Sequence, residues 1–218
     1  MLRGENRIST GESMKQVAIT VLACLAAGSS AAADCLSDFK ALNAVKAEAG
    51  PFRIEMQVSV VPPAASGQKP EPVPVSTITT LVVPLGSYRM TKTGKGQTID
   101  LVVLDRQKAW SKQPDGWKPV EAEKMPDLTG AWPTAEYVAA VKLFNLQCLG
   151  EQPYKDKPAL AFGFDIAPQN SASHITAYFD PATRLPLGSE VVTEAGAKAI
   201  VDAAYVFDRT ISVSAPVP

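Results

Sequence analysis

The chain has 218 residues, 46% of them hydrophobic and 20% charged, and a formal net charge of −1 at pH 7. This balance lacks the basic excess that a nucleic-acid-binding surface needs, and it gives no support for electrostatic docking of the whole chain on anionic lipid. The length suits a single domain with a real hydrophobic core.

The N-terminal part has the pattern of a secretory leader. Lys15 precedes an apolar run over residues 17–27, and small residues follow as far as Ala33. This order is typical of a signal peptide, and the run is too short to span a bilayer as a helix. We therefore expect cleavage before Asp34 and a periplasmic or secreted protein. Because no second long apolar run follows Ala33, no membrane span is expected in the mature chain.

Residues 1–13 carry mixed charges that do not fit a leader, whereas Met14 and Lys15 would be a normal start. We interpret residues 1–33 as a spurious N-terminal extension plus the signal peptide. The remaining residues, 34–218, are predicted to form a single β domain.

Two of the three cysteines remain after the predicted cleavage. Cys35 and Cys148 are expected to pair, because cysteines in an oxidising compartment usually form disulfides; the alternative is two buried free thiols. Cys24 follows Val21–Leu22–Ala23, which resembles the lipobox of bacterial lipoproteins. Lipid anchoring at Cys24 is therefore a second interpretation, although Leu22 occupies a position where a small residue is normal.

The first mature segment predicts a helix over Cys35–Ala49, with an apolar stripe that includes Phe39 and Leu42. Gly50 and Pro51 end it. From Phe52 the period changes to two, which predicts a half-buried strand. Residues 62–74 are rich in proline and predict a loop between two adjacent strands.

Strand signals then recur at short intervals, separated by tight turns. The first group is Val75–Val83, Ser87–Thr93, Thr98–Asp105, Lys108–Lys112 and Trp117–Val120. A second helix is predicted after Pro133, which suits a first helical position, with Tyr137, Ala140, Val141 and Phe144 on one face. The second group of strands is Leu146–Leu149, Ala159–Ile166, Ser173–Phe179, Leu187–Thr193, Lys198–Phe207 and Thr210–Ser214.

Strands joined by tight turns predict an antiparallel meander. The predicted fold class is α+β, mainly β. We expect a curled antiparallel half-barrel of about ten or eleven strands with helices packed on its concave face.

The sequence offers little chemistry for catalysis. His174, the single histidine, lies in an alternating strand with Thr176 and Tyr178 on its own face, which favours a surface or hydrogen-bonded histidine over a catalytic one. No HExxH, CxxC or acidic calcium loop occurs. We therefore predict no enzyme, no metal and no cofactor, with a hydrolase that uses His174 as the competing hypothesis.

Two tryptophans flank the Pro114–Asp115–Gly116 turn. Trp110 and Trp117 could pack against each other across a hairpin. They could equally form the wall of an apolar cavity, and the sequence does not separate these interpretations.

Several segments together resemble a known family. They are Pro51–Ile54, Gly86–Met90, Asp105–Trp110 followed by Gly116–Trp117, Ala161–Phe164 and above all Tyr178–Leu187. Their order is similar to that of the periplasmic lipoprotein carriers and outer-membrane lipoprotein receptors of the LolA/LolB type, and of related bacterial lipid-binding lipoproteins. The resemblance implies an unclosed, bent antiparallel sheet that cradles helices and leaves an apolar hollow for acyl chains.

The function implied by this resemblance is non-enzymatic binding of a lipid or a lipidated protein in the periplasm. The alternative is an envelope structural or sensory protein that acts through a protein partner. The predicted lining of the hollow consists of inward apolar residues of the strands and of the second helix. They are Ile54, Met56, Val58, Leu101, Val103, Trp110, Trp117, Tyr137, Val141, Phe144, Phe162 and Phe164.

Overall fold

The computed structural model describes residues 34–42, 49–63, 70–83, 86–125, 143–166, 172–195 and 197–217. The predicted leader, Cys24 and most of the predicted second helix, with Tyr137 and Val141, lie outside these residues.

Within the described ranges, eleven strands form one antiparallel sheet. They are β1 (Phe52–Val61), β2 (Val73–Val83), β3 (Ser87–Gly94), β4 (Gln97–Leu104), β5 (Lys108–Gln113), β6 (Gly116–Val120), β7 (Leu143–Tyr154), β8 (Lys157–Ile166), β9 (Ala172–Phe179), β10 (Pro186–Ala195) and β11 (Ala197–Phe207). The order across the sheet is β6-β5-β4-β3-β2-β1-β11-β10-β9-β8-β7. The first and last strands of the chain thus pair in the middle, and β6 and β7 form the two edges of an open sheet. The predicted strand number and antiparallel topology are confirmed.

Short turns join most neighbouring strands. Lys95 and Gly96, and likewise Lys155 and Asp156, have positive φ at two successive residues, which matches the right-handed twist of the flanking strands. The predicted proline-rich loop connects β1 to β2, which pair over most of their length. A helix (α1) runs through residues 34–42 and so includes Asp34, one residue before the predicted start at Cys35. A short 3-10 helix covers Ala122–Lys124.

One predicted strand is too short, and another is wrong. β7 extends to both sides of the predicted Leu146–Leu149 and includes Phe144, which we had placed on a helix. Its pairing shifts between Phe144 and Gln147 and again between Cys148 and Gly150, so the bulges erase the period-two pattern that identifies a strand.

The predicted strand Thr210–Ser214 is absent, since residues 211–217 have no regular secondary structure. Asp208 accepts hydrogen bonds from the backbone N–H and the hydroxyl of Thr210, at 2.8 and 2.7 Å, and this turn follows β11. β11 already pairs with β1 on one side and with β10 on the other. The chain that follows β11 therefore has no neighbouring strand edge to pair with.

We call the sheet face against which α1 packs the inner face, and the opposite face the outer face. Phe39 of α1 is fully buried, and its ring centroid lies 5.2 Å from that of Phe162, 5.3 Å from Phe164 and 6.2 Å from Phe179. A disulfide joins Cys35 of α1 to Cys148 of β7, which confirms the predicted pair. The helix is thus fixed over β8 and β9 by both packing and a covalent bond.

The inner face has two further buried clusters. Phe52 and Ile54 of β1 pack with Ala203 and Tyr205 of β11 in the middle of the sheet. The other cluster lies over β3, β4 and β5. It consists of Tyr88, Leu101, Val103 and Ala109, with Val120, Ala122 and Met125 packed against it.

On the outer face, the β7–β8 hairpin is fastened to the middle of the sheet. The Tyr154 ring stacks on Tyr178 with centroids 4.5 Å apart, and its hydroxyl donates to the carbonyl of Ala203 at 3.0 Å. Burial, together with the nearby Asp202 carboxylate, raises the pKa of Tyr154. The phenol therefore stays protonated and able to donate.

Candidate functional site

The candidate site is the part of the inner face that lies away from α1. Strand register places Ile54, Thr80 and Leu101 in one row across the sheet, with exposed fractions of 1%, 0% and 4%. These residues form the closed floor of the meander formed by β1–β6.

The next row is less covered. Met56 pairs with Ile78, and Lys92 of β3 joins Ile78 to Ile99 of β4 in the same row. Met56 and Ile78 are half-buried, and Ile99 is 49% exposed. An aliphatic surface therefore remains partly open to solvent on the inner face.

The same row continues on the other side of β1 with short side chains. Ala203, Ser189 and Ala177 lie next to one another on β11, β10 and β9, before Phe162 of β8 is reached. Short side chains fill little of the space above their own strands. The row thus runs from an open aliphatic end at Ile99 to the covered end beneath α1.

The structure separates the predicted lining residues into several groups. Ile54, Met56, Val58, Leu101 and Val103 lie on the inner face of β1 and β4. Within this group Met56 and Val58 are half-buried, while the other three are buried.

Phe162 and Phe164 also face inward, but they lie under Phe39. The space above these two residues on the inner face is therefore occupied by α1. Tyr137 and Val141 lie outside the described residues.

Trp110, Trp117 and Phe144 lie on the outer face. Trp110 pairs with Val102, and Val102 pairs with Arg89. Val102 lies between Leu101 and Val103 in β4, so its side chain and those of its partners point to the opposite face. Phe144 pairs with Asp165 and is 46% exposed. These three side chains are therefore not near the inner-face row.

Sequence reasoning left out Ile78 and Ile99, which the structure adds to the row. Each lies in an alternating strand, so the pattern placed each on one face of its own strand. Which face is inner depends on the register with β1, which the pattern within one strand does not contain.

Thr80 has an unusual environment on this face. Its side chain is fully buried, and its hydroxyl has no hydrogen-bond partner among the described residues. An unpaired buried hydroxyl is costly, so the closed floor of the meander includes a polar group without compensation.

His174 lies on the outer face of β9, and its side chain is 57% exposed. Its Nδ1 is 2.7 Å from Asp165 Oδ1, and Asn145 donates to the other carboxylate oxygen at 2.7 Å. The hydrogen bonds from Asn145 and His174 lower the pKa of Asp165. Among the described residues, no hydroxyl or thiol is hydrogen-bonded to His174, so the arrangement required for nucleophilic catalysis is not formed there.

One cleft among the described residues is polar. Arg106, Gln107, Glu121, Ala122 and Glu123 line a cleft of about 400 Å³, whose charged walls do not suit an acyl chain. The described part of the chain contains no cluster of three or more metal-ligating side chains.

Among the described residues, no helix combines the length and the apolar character required to cross a bilayer.

Comparison with known proteins shows the fold. No family model matches the sequence, and no curated protein can be aligned with it at a significant level. Among solved structures, the lipoprotein LppX of Mycobacterium tuberculosis aligns with a TM-score of 0.55 and 11% sequence identity, over 81% of this chain and 98% of LppX. A LolA-superfamily protein of Nitrosomonas europaea aligns with a TM-score of 0.35 and 8% identity, over 80% and 93% of the two chains, which is too loose to support an argument.

The chain therefore shares its overall fold with the lipoprotein LppX. This agrees, at the level of the fold alone, with the predicted resemblance to a group that includes bacterial lipoproteins, while the likeness to proteins of the LolA/LolB type stays a prediction. At 11% identity the similarity to LppX does not transfer a ligand or a site residue.

Proposed function

We propose that this protein binds the acyl chain of a lipid or a lipidated protein along the inner face, against Met56, Ile78 and Ile99. The observation that carries the proposal is the partly exposed row of Met56, Ile78 and Ile99, which also contains the exposed Lys92. This row lies beside the buried floor formed by Ile54, Thr80 and Leu101. Covering apolar surface of this kind is favourable by about 0.8 kcal/mol per CH₂ group of the ligand. No catalytic step is required for such a role.

We further propose that residues 34–218 act as one domain outside the cytoplasm. The Cys35–Cys148 disulfide supports this location, because stable disulfides are typical of oxidising compartments. The similarity in fold to LppX, a lipoprotein, is consistent with a place in the bacterial envelope.

The proposal is tested with acyl probes of increasing chain length. Affinity should rise by up to about fourfold for each added CH₂, until the chain is longer than the row. Displacement of a fluorescent fatty acid would measure this, and native mass spectrometry of protein from its own envelope would identify a bound lipid. Flat affinity across the series, with no co-purifying lipid, would contradict the proposal.

A pair of variants locates the site. Ile99→Asp places a charge on the open end of the inner-face row, whereas Val206→Asp places the same charge on the outer face, where Val206 is 42% exposed and pairs with Arg53. We expect Ile99→Asp to weaken acyl binding at least about tenfold, since a desolvated carboxylate costs more than one tenfold step. Val206→Asp should bind like the unchanged protein.

One observation favours the alternative, an envelope protein that acts through a protein partner. Phe39 and its neighbours fill the inner face over β8 and β9, as in a protein with a solid core. A pull-down from the envelope that returns one stable partner, with no lipid in either component, would support this second function.

A further inference from the structure

The outer face of the β5–β6 hairpin carries aromatic and basic side chains that the inner-face site does not use. Lys108, Trp110 and Lys112 alternate on β5, so they share one face. Lys112 pairs with Trp117 of β6, which places this tryptophan on the same face. We call these four residues, together with Arg89 of β3, the tryptophan–lysine patch.

The patch has an excess of positive charge although the whole chain has a net charge of −1. Lys108 and Lys112 are exposed, and neither has an ion-pair partner among the described residues. Arg89 is neutralised by Asp100, with contacts of 3.2 and 2.7 Å. The net charge of the chain therefore conceals a local pair of uncompensated lysines.

The same patch has an apolar component. Both tryptophans are half-buried, and the Arg89 guanidinium carbon lies 5.8 Å from the centre of the Trp117 ring. Val102, which pairs with Trp110, is only 2% exposed. The two half-buried indole rings therefore lie on the same face as the buried side chain of Val102.

We propose that the tryptophan–lysine patch docks the protein on an anionic phospholipid surface. Tryptophan has an apolar ring and a polar N–H, which suits the boundary between lipid tails and headgroups, and lysines near the surface are attracted by anionic headgroups. Because β6 is an edge strand of the sheet formed by the described residues, the patch lies at an edge of that sheet. This inference goes beyond acyl binding on the inner face and holds or fails independently of it.

Vesicle binding tests the basic component. The full chain should bind vesicles that contain phosphatidylglycerol and bind phosphatidylcholine vesicles weakly, with the difference reduced at high salt. Neutralising both lysines in K108Q/K112Q should weaken binding to phosphatidylglycerol vesicles by about thirtyfold. The matched control is K157Q/K198Q, two exposed strand lysines outside the patch, which should bind like the unchanged chain. Equal loss in both variants would overturn the proposal, because it would show non-specific charge attraction.

Tryptophan emission tests the aromatic component. The chain has three tryptophans, so Trp132→Phe leaves only the two in the patch. In this variant, vesicles with phosphatidylglycerol should shift the emission to the blue, and brominated acyl chains should quench it. Binding without shift or quenching would overturn the proposal, since the rings would then remain in water.

The experiment also separates lipid from a soluble polyanion. Binding to dextran sulfate with the same lysine dependence and the same blue shift would overturn the proposal in favour of an acidic polysaccharide.

The Ile99→Asp variant tests whether the two proposals are independent. It should leave vesicle binding unchanged while it weakens binding of free acyl probes. In this variant, unchanged binding of free acyl probes would contradict the proposed function, whereas weakened vesicle binding would contradict the docking proposal.

Discussion

The two halves of the sheet bury their inner faces by different means. In the half formed by α1 and β7–β10, which we call the α1 half, a helix covers the strands and a disulfide fixes it. In the half formed by β2–β6, the meander half, the described residues contribute a smaller cluster around Tyr88 and Leu101, and Ile99 stays half-exposed. The proposed acyl ligand is therefore expected on the meander half, because opening the α1 half would require breaking aromatic packing against a covalently held helix.

The largest loss of stability in this comparison is expected from removal of the disulfide. The bridge closes a separation of 113 residues, and replacing Cys35 and Cys148 together with serine should lower the free energy of unfolding by about 4 to 5 kcal/mol on the loop-entropy argument. Urea unfolding of both proteins under oxidising conditions measures the difference. Leu149→Ala, an exposed neighbour in β7, should change stability by less than about 0.5 kcal/mol. A bridge-free variant as stable as this control would show that packing holds α1 without covalent help.

Removing the central ring of α1 should have the next largest effect. Phe39→Ala leaves a cavity among Phe162, Phe164 and Phe179 and should cost about 3 to 4 kcal/mol. Leu36→Ala in the same helix is the control, because Leu36 is 38% exposed. If both changes cost the same in denaturant unfolding, α1 does not form the core that its burial indicates.

A glycine at the centre of the sheet tests how the halves are joined. A Cβ at Gly188 would overlap the Tyr154 ring and the carbonyl of Ala203, so Gly188→Ala should displace the β7–β8 hairpin and cost about 2 kcal/mol. Gly163→Ala is the matched control in β8, where a Cβ would meet Leu149 at 3.5 Å and His174 at 3.7 Å, ordinary contact distances. If thermal unfolding shows Gly163→Ala to be less stable than Gly188→Ala, Tyr154 does not hold the β7–β8 hairpin against the middle of the sheet.

In the meander half, a substitution should increase stability. Thr80→Val removes a buried hydroxyl that has no partner and should stabilise the protein by about 1 kcal/mol. Thr193→Val in the α1 half should have the opposite sign, since the Thr193 hydroxyl is 2.7 Å from that of Ser173. Destabilisation by Thr80→Val would indicate that the hydroxyl has a partner in solution.

The smallest expected effect is a pH dependence in the α1 half. Hydrogen bonds from the backbone N–H groups of Thr183 and Ala182 lower the pKa of Asp180 at the β9–β10 turn. A depressed folded-state pKa contributes stability above the unfolded value of about 3.9, and this contribution is lost as the pH falls through the folded-state pKa. Asp180→Asn should therefore be less stable than the unchanged chain at neutral pH, and the difference should shrink in strong acid. A difference that stays constant across this range would exclude titration of Asp180 as its cause.

Local patterns in the sequence determined much of this protein. Period-two alternation identified ten of the eleven strands close to their bounds in the structure. The prediction for β7 fell short at both ends, and one further predicted strand, Thr210–Ser214, was wrong. Cys35 and Cys148 were paired from the expected compartment, without knowledge of where the fold places them. The strand inferences succeed because alternation is a property of short segments. The disulfide inference succeeds because two cysteines in an oxidising compartment usually pair.

The tertiary structure decided how the segments combine. Pairing of β1 with β11 sets which side of every strand faces α1, and a shift by one residue would reverse that assignment. For this reason Ile99 belongs to the inner-face row, while Trp110 and Trp117 lie on the outer face, although all three occupy alternating strands. Two β-bulges likewise determined the extent of β7. Contacts between strands distant in the chain are absent from any local pattern, so the candidate site could be assembled only when the register was known.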